Sequence, residues 1–457
     1  MKKTLASLMI VFTSFALYGQ DITGQWNGLL KVQGLQLRVV FHINKTDTGY
    51  SATMDSPDQG AKGLPVTTIT FENSKLKLVS TTSRFEYNGE LKGEGVVGSL
   101  KQGGQEYPLD LSRQPIEKPA VKRPQEPVPP FPYYSEDVTF QNKNANITLA
   151  GTLTLPHKDG NYPAVILITG SGPQNRNEEL LGHKPFLVLS DYLTRNGIAV
   201  LRYDDRGTAQ SSGDFKTATT FDFASDVESA IAWLKTRKEI NEKKIGLIGH
   251  SEGGLIAPIV ASKSKDVDFI VLLAGPGIPG DKLMLLQKEK IEQAMHTDEG
   301  EIEKGQDIFK GAYQIILDSD TSDVDLKNKV STYFKRSFGS KVTEEQIGAI
   351  TDQIVNPWMI TFLKYNPVPT LEKVKCPVLA IDGEKDLQVP PQENLDAIKT
   401  ALEKGGNKNV TTELLPNLNH LFQDCKTGLP TEYSEIEETF SPKALAEIKE
   451  WIKLQVE

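Results

Sequence analysis

The fold is decided by Ile245-Gly246-Leu247-Ile248-Gly249-His250-Ser251-Glu252-Gly253-Gly254-Leu255. Ile245–Ile248 is a compact apolar run of the kind that becomes a buried parallel strand. A G-x-S-x-G sequence follows it directly, and Leu255–Ala261 continues as a helical segment. A strand and a helix joined by so sharp a turn leave no room for a Cβ on either side of the central serine, so glycine flanks it and the serine alone projects. In isolation these five residues mean little. Between a strand and a helix they mark Ser251 as a nucleophile rather than a chance turn serine.

The same alternation extends outward from this point. Val138–Gln141 and Ile147–Leu155 read as an opening hairpin, and Ala164–Thr169, Ile198–Arg202 and Phe269–Leu273 as further buried strands. Phe186–Arg195 and Phe221–Thr236 are helical segments between them. Strand and helix in strict alternation predict a doubly wound α/β sheet with right-handed crossovers. The alternation pauses after Gly280, where Lys282 to Tyr365 is largely helical and charged, and resumes at Val378–Ile381. An insertion of that length, 281–366, predicts a helical cap over or beside the site, with Trp358 and Phe362 as candidate substrate contacts.

A serine hydroxyl needs a base to take its proton. In a sheet of this kind the partners follow the serine in the order acid, then histidine, each at the C-terminal end of its strand. Asp382 stands at the end of Val378–Ile381 and is expected to serve as a turn residue or local cap. Asp386, in the loop Gly383–Pro390, is the expected acid. His420 follows Val410–Leu415 and the turn Pro416–Asn419, and is the expected base. His250 is inside the elbow and expected to point towards the sheet, His157 precedes the sheet, His296 belongs to the insertion, and His183 comes before the serine. One oxyanion donor is expected from the backbone N–H of Glu252, at a helix start that favours negative charge. The second is expected from Thr169-Gly170-Ser171-Gly172-Pro173, with the Ser171 amide first and Gly172 next. The Glu252 carboxyl is read as a helix-start acid, and Asp204-Asp205-Arg206-Gly207 as a turn held by local hydrogen bonds and ion pairs.

The remainder sets the context. A chain of 457 residues exceeds one ordinary core, which predicts two folded units, and a formal charge of -9 argues against a nucleic-acid partner. Lys2 and Lys3, the apolar run Leu5–Leu17 and Tyr18-Gly19-Gln20 describe a signal peptide over 1–20, so export to the periplasm or medium is expected. That run is shorter than the ~20 residues a membrane-spanning helix needs, and no later segment is long and apolar enough, so stable membrane insertion is not expected. Leu35, Leu37, Val39, Phe41 and Ile43 alternate with outward positions, and short strands continue to 112, which predicts a small antiparallel sandwich or barrel over 21–112. Its lone histidine, His42, is read as structural. Pro115, Pro119, Pro124, Pro127, Pro129, Pro130 and Pro132 make 113–134 an extended linker, leaving 135–457 as the catalytic domain. Cys376 and Cys425 are read as separate thiols.

On these residues the segment from Ser135 onward resembles the exported bacterial α/β-hydrolase esterases of the EstD type, close to the serine aminopeptidase-like hydrolases. The matching text is Ile168–Gln174, Tyr203–Gly207, Gly249–Gly254, Gly383–Pro390 and Leu418–Phe422. The resemblance covers about two-thirds of the chain. It implies an α/β-hydrolase fold, carboxylesterase activity on small-molecule short-chain acyl esters, no metal or organic cofactor, and Ser251, Asp386 and His420 as the triad. Many relatives of this fold carry a histidine before the first oxyanion glycine, where this chain has Thr169. A peptidase or amidase with the same triad, and a silent binding protein on a hydrolase scaffold, are the competing readings. The sequence does not choose an oligomeric state.

Overall fold

The computed structural model describes residues 21–32, 35–59, 61–117, 122–320 and 323–457, so the expected signal peptide over 1–20 lies outside the described residues. The chain divides into two compact units, Met1–Lys118 and Pro119–Glu457.

In the first unit ten strands form one sheet, every described pairing antiparallel. The expected alternation places Val39, Phe41 and Ile43 inside, with Trp26, Leu78 and Tyr87 against them. Ala61–Pro65 is a short strand that follows a 3-10 turn over Pro57–Gln59. His42 Nε2 sits 2.9 Å from Asp55 Oδ2 on the next strand. The Arg113 guanidinium lies 3.8 Å above the Trp26 ring and closes one end of the core.

The second unit is built on eight strands: β1 (Tyr134–Asn142), β2 (Ile147–Leu155), β3 (Tyr162–Ile168), β4 (Ala199–Tyr203), β5 (Ile240–His250), β6 (Phe269–Leu273), β7 (Val378–Gly383) and β8 (Val410–Leu415). They lie in the order β1-β2-β4-β3-β5-β6-β7-β8. β1 and β2 pair antiparallel with each other, and β2 with β4, while every pairing from β4 to β8 is parallel. The strands β4 and β6 are buried from end to end, which is why β6 reads as an unbroken apolar run and β4 as one broken only by Arg202. β5 begins earlier than its apolar run, because Ile240 pairs with Tyr162 across a register shift and the polar residues between hide the strand.

Helices α1 (Pro185–Arg195), α2 (Thr220–Leu234) and α3 (Gly253–Ala261) follow β3, β4 and β5. Between β6 and β7 come α4 (Gly280–Ala294), α5 (Glu299–Leu317), α6 (Leu326–Phe338), α7 (Glu344–Ile354), α8 (Pro357–Lys364) and the short α9 (Val368–Leu371). The cap formed by α4 to α8 has a core of its own around Ala312, Ile316, Val330 and Phe334. α10 (Pro391–Lys404) and α11 (Pro442–Val456) close the sheet. α11 buries Leu445, Ile448 and Ile452, a helical stripe in which each side chain contributes about 1.5–3 kcal/mol. Parallel strands put the ends of β3, β5, β7 and β8 on one edge, where their loops meet. Cys376 and Cys425 are both free. Among the described residues no helix is long and apolar enough to cross a membrane.

Candidate active site

The elbow comes first. Ser251 follows β5 with φ +51°, a left-handed backbone that a non-glycine residue holds only when its surroundings impose it. Here the surroundings are backbone atoms. A Cβ on Gly249 would stand 2.0 Å from the Gly253 carbonyl oxygen, and one on Gly253 would stand 2.3 Å from the Ile168 oxygen. The Ser251 N–H donates to the Leu273 carbonyl at 2.9 Å, which ties the turn to β6.

The loops after β7 and β8 carry the expected acid and histidine. His420 Nδ1 lies 2.6 Å from Asp386 Oδ2, and both residues are buried. Asp386 Oδ1 accepts the backbone N–H groups of Gln388 and Val389 at 2.7 and 2.9 Å. With Oδ1 taken up by two backbone donors, Oδ2 is placed to accept from Nδ1 of His420, which leaves Nε2 as the ring's other hydrogen-bonding atom. The Lys385 N–H donates to the Leu418 carbonyl at 2.9 Å and binds the two loops together. Asn419 Oδ1 accepts from the Leu421 and Gln423 amides, both at 3.0 Å, and shapes the turn that carries His420.

Asp382 makes the local contact expected of it, accepting the Gly383 N–H at 2.7 Å. It is also fully buried and hydrogen-bonded to Asp386, and burial together with that neighbouring charge pushes its carboxyl far above the usual range.

A cavity of about 100 Å³ is lined by Ser171, Ser251, Glu252, Leu283, Trp358 and Phe362 among others. The serine, the residues of both expected oxyanion donors and the two aromatic residues of the cap therefore share one space. Gln388 and Val389, the amides bonded to Asp386, line it as well. Gly172, the alternative donor, has φ +99° and is not among the lining residues; Ser171 is. A larger groove of about 380 Å³ on the cap, lined by Asp325, Lys329, Tyr333 and Arg336, contains none of the expected site residues.

The Glu252 side chain behaves differently from a helix-start acid, since it makes no capping hydrogen bond. Its Oε1 accepts from Thr220 Oγ1 at 2.6 Å and from Trp358 Nε1 at 2.8 Å, which fastens α2 and α8 to the elbow. Burial pushes this carboxyl upward, and the two hydrogen bonds only partly oppose it. The loop after β4 also does more than hold a turn. Asp205 accepts from Thr169 Oγ1 at 2.7 Å and from the Gln174 N–H at 2.9 Å, and so clamps both ends of the Gly170–Pro173 turn. Asp204 pairs with Arg176, and Arg206 with Asp226, each at 2.7 Å.

His250 and Glu178 were not singled out as site residues in the sequence. His250 makes contacts at both ring nitrogens, to Glu178 and to the backbone of His420. His183, by contrast, is a core histidine between Tyr433 and Thr439, driven down to about 4 by burial. Among the described residues no group of three acid, histidine or cysteine side chains is placed to share a metal ion.

The profile of the X-Pro dipeptidyl-peptidase (S15) family matches residues 145–411, more than half of the chain. The chain belongs to the S15 family. This S15 protein is a serine hydrolase of the esterase and peptidase type, and the β1-β2-β4-β3-β5-β6-β7-β8 sheet with its elbow is an α/β-hydrolase fold carrying a helical cap. It is similar to Esterase EstD of Thermotoga maritima, 25% identical over 324 residues that cover 70% of each chain. It is also similar to an uncharacterised 31.7 kDa protein from the traX-finO intergenic region of Escherichia coli, 24% identical over 253 residues, 54% of this chain and 80% of the other. Among solved structures, an esterase of Pyrococcus furiosus is 17% identical with a TM-score of 0.43, covering 70% of this chain and 93% of its own. Est1E of Butyrivibrio proteoclasticus with bound ferulic acid is 16% identical with a TM-score of 0.41, covering 70% and 99%.

Proposed function

We propose that this S15 hydrolase is a carboxylesterase for short-chain acyl esters, working through an acyl-enzyme on Ser251. The reading rests most heavily on the His420–Asp386 hydrogen bond of 2.6 Å, on loops joined to the one that carries Ser251. In the first step Ser251 Oγ attacks the ester carbonyl while His420 Nε2 takes its proton. Asp386 holds the ring by Nδ1 and stabilises the imidazolium. The developing oxyanion is received by the amides of Glu252 and Ser171, each worth about 2.7–4 kcal/mol. The C–O bond to the alcohol breaks and His420 returns the proton to the leaving oxygen. Water then enters, is deprotonated by His420, and releases the acid and free Ser251. A cavity of about 100 Å³ is well below the ~300–1,000 Å³ typical of drug-sized ligands, which favours short acyl groups. With the leader read over 1–20, the proposal extends to an exported enzyme.

Ser251→Ala should lower turnover of p-nitrophenyl acetate or butyrate by about 10⁶-fold, the cost of a lost triad serine. A fluorophosphonate should label the native protein at Ser251 alone. Retained turnover in the alanine variant would sink the assignment, and an unlabelled native serine would favour a silent scaffold. The family match favours a second reading, amide or peptide hydrolysis by the same groups. Aminoacyl amides, with and without proline, tested beside the esters at equal concentration decide between the two.

A further inference from the structure

Behind the serine, the loop after β3 and the end of β5 meet at one buried carboxyl, and the loop after β8 joins them through the ring of His250. Glu178, in the loop between β3 and α1, has φ +52° and is 4% exposed. Its Oε1 accepts the Gly170 N–H at 2.7 Å, at the base of the oxyanion turn, and lies 2.9 Å from Nδ1 of His250. On the far side of the same ring, His250 Nε2 lies 2.9 Å from the carbonyl oxygen of His420. A carbonyl only accepts, so Nε2 carries a proton. Glu178 Oε1 already accepts from Gly170 and faces Nδ1 as an acceptor as well, so both ring nitrogens are placed to donate, the arrangement that suits an imidazolium. Burial pushes His250 down, but the Glu178 charge and hydrogen bond, the His420 carbonyl and the Asp386 charge together carry it above the ordinary histidine value.

The position of this pair matters. A Cβ on Gly170 would stand 3.2 Å from Ser251 Cβ, 3.4 Å from Glu178 Oε1 and 3.5 Å from His250 Nδ1, so the oxyanion turn, the nucleophile and the pair converge on one point. The rings of His250 and His420 are 4.8 Å apart between centroids. The titratable groups around His250 are Glu178 from the loop after β3, Asp386 from the loop after β7 and His420 from the loop after β8. The carboxyl of Asp205, from the loop after β4, is pushed well above the usual range, chiefly by burial.

We propose that Glu178 is a positioning residue: through one carboxyl oxygen and the His250 ring it sets the Gly170 turn and the His420 backbone against Ser251, and it keeps a positive charge beside the base. The inference rests on the triad reading above.

Glu178→Gln tests it. One glutamine atom cannot both accept from Gly170 and balance an imidazolium, so His250 becomes neutral and one of the two contacts is lost. With p-nitrophenyl acetate, kcat should fall roughly 100-fold, as a displacement of about 1 Å in a reacting group does, while KM moves less than about threefold. The acid limb of the kcat/KM profile should shift to higher pH, because a charge opposing protonation of the base is gone. His250→Gln removes the same charge from the other partner and should move the limb in the same direction. Folded variants of either kind with native kcat and an unmoved acid limb would overturn the inference, even if they melt earlier. Ser251→Ala separates the two failures. If that variant is inactive while Glu178→Gln is native in both readouts, only the positioning role falls; if it retains turnover, the triad reading itself falls.

Discussion

Asp382 and Asp386 are the same side chain four positions apart, and their surroundings treat them very differently. Asp386 receives His420 Nδ1 and two backbone amides. Asp382 receives one amide at Oδ1, while its buried Oδ2 meets no donor and its neighbour is the Asp386 carboxyl. Two ionised carboxyls would repel at this contact, so the proton stays on Asp382, which donates to Asp386. The linkage follows from the direction of the shift. A folded value raised above the unfolded one, ~3.9, means a contribution fully present below about pH 4 and lost as the pH rises towards the folded value. At neutral pH the group is therefore a cost. Asp382→Asn keeps a donor to Asp386 and an acceptor for Gly383 without a proton to lose. Its ester turnover should stay within about threefold of native, since a neutral hydrogen bond replaces a neutral hydrogen bond. Its urea midpoint should equal or exceed the native one at pH 8, with the difference closing towards pH 4. Asp382→Ala, which leaves Asp386 short of a donor, should lose turnover. Equal damage in both variants would mean that Asp382 works as an anion.

At the scale of elements, the central sheet was legible because burial on both faces leaves an apolar run, as in Phe269–Leu273, while the half-exposed edge strand Val410–Leu415 also lies where it was expected. The elbow was legible because its glycines answer a local demand, the 2.0 Å and 2.3 Å clashes that any Cβ would meet. Asp386 and His420 were expected together from strand order, and the structure sets them 2.6 Å apart. Glu178 left no such mark. Its partners Gly170 and His250 are 8 and 72 positions away, and nothing in the spacing of Asn175–Glu179 announces them. The docking of the cap was hidden for the same reason. Its length showed in the sequence, but one of its anchors is an indole N–H: Trp358 Nε1 on α8 donates to Glu252 Oε1, beside a stacked contact with Phe362 at 5.3 Å. Trp358→Phe keeps an aromatic ring and deletes that donor. The buried Glu252 carboxyl then loses one of two hydrogen bonds, a cost of about 1–3 kcal/mol in unfolding free energy. Fluorophosphonate labelling of Ser251 should persist while kcat/KM for the short ester falls. Unchanged stability and kinetics would show that α8 is held by other contacts.

At the scale of the molecule, each unit has its own core: Trp26, Phe41 and Tyr87 in Met1–Lys118, and the clusters on both faces of the β1–β8 sheet in Pro119–Glu457. The proline-rich stretch between them was expected to be a connector throughout 113–134. Its second half instead lies along the hydrolase unit. Arg123 donates to the carbonyls of Leu181, Gly182, Ser434 and Ile436, and Gln125 Oε1 accepts from the Thr439 and Phe440 amides at 2.6 and 3.0 Å. Lys184 pairs with Glu126 at 3.0 Å. These contacts hold the chain that follows His420, and one of its residues, Tyr433, receives the Gln388 side chain beside Asp386 at 2.9 Å. Two truncations separate connector from strap. A chain starting at Pro119 should keep ester turnover and Ser251 labelling near native levels, because every side chain of the site lies beyond it. A chain starting at Pro127 loses the guanidinium bonds, each worth about 1.5–3 kcal/mol, and the Gln125 bracket as well. It should melt earlier and turn over less, since the support of the histidine loop goes with them. Equal behaviour of the two chains would show that residues 119–126 are only a tether.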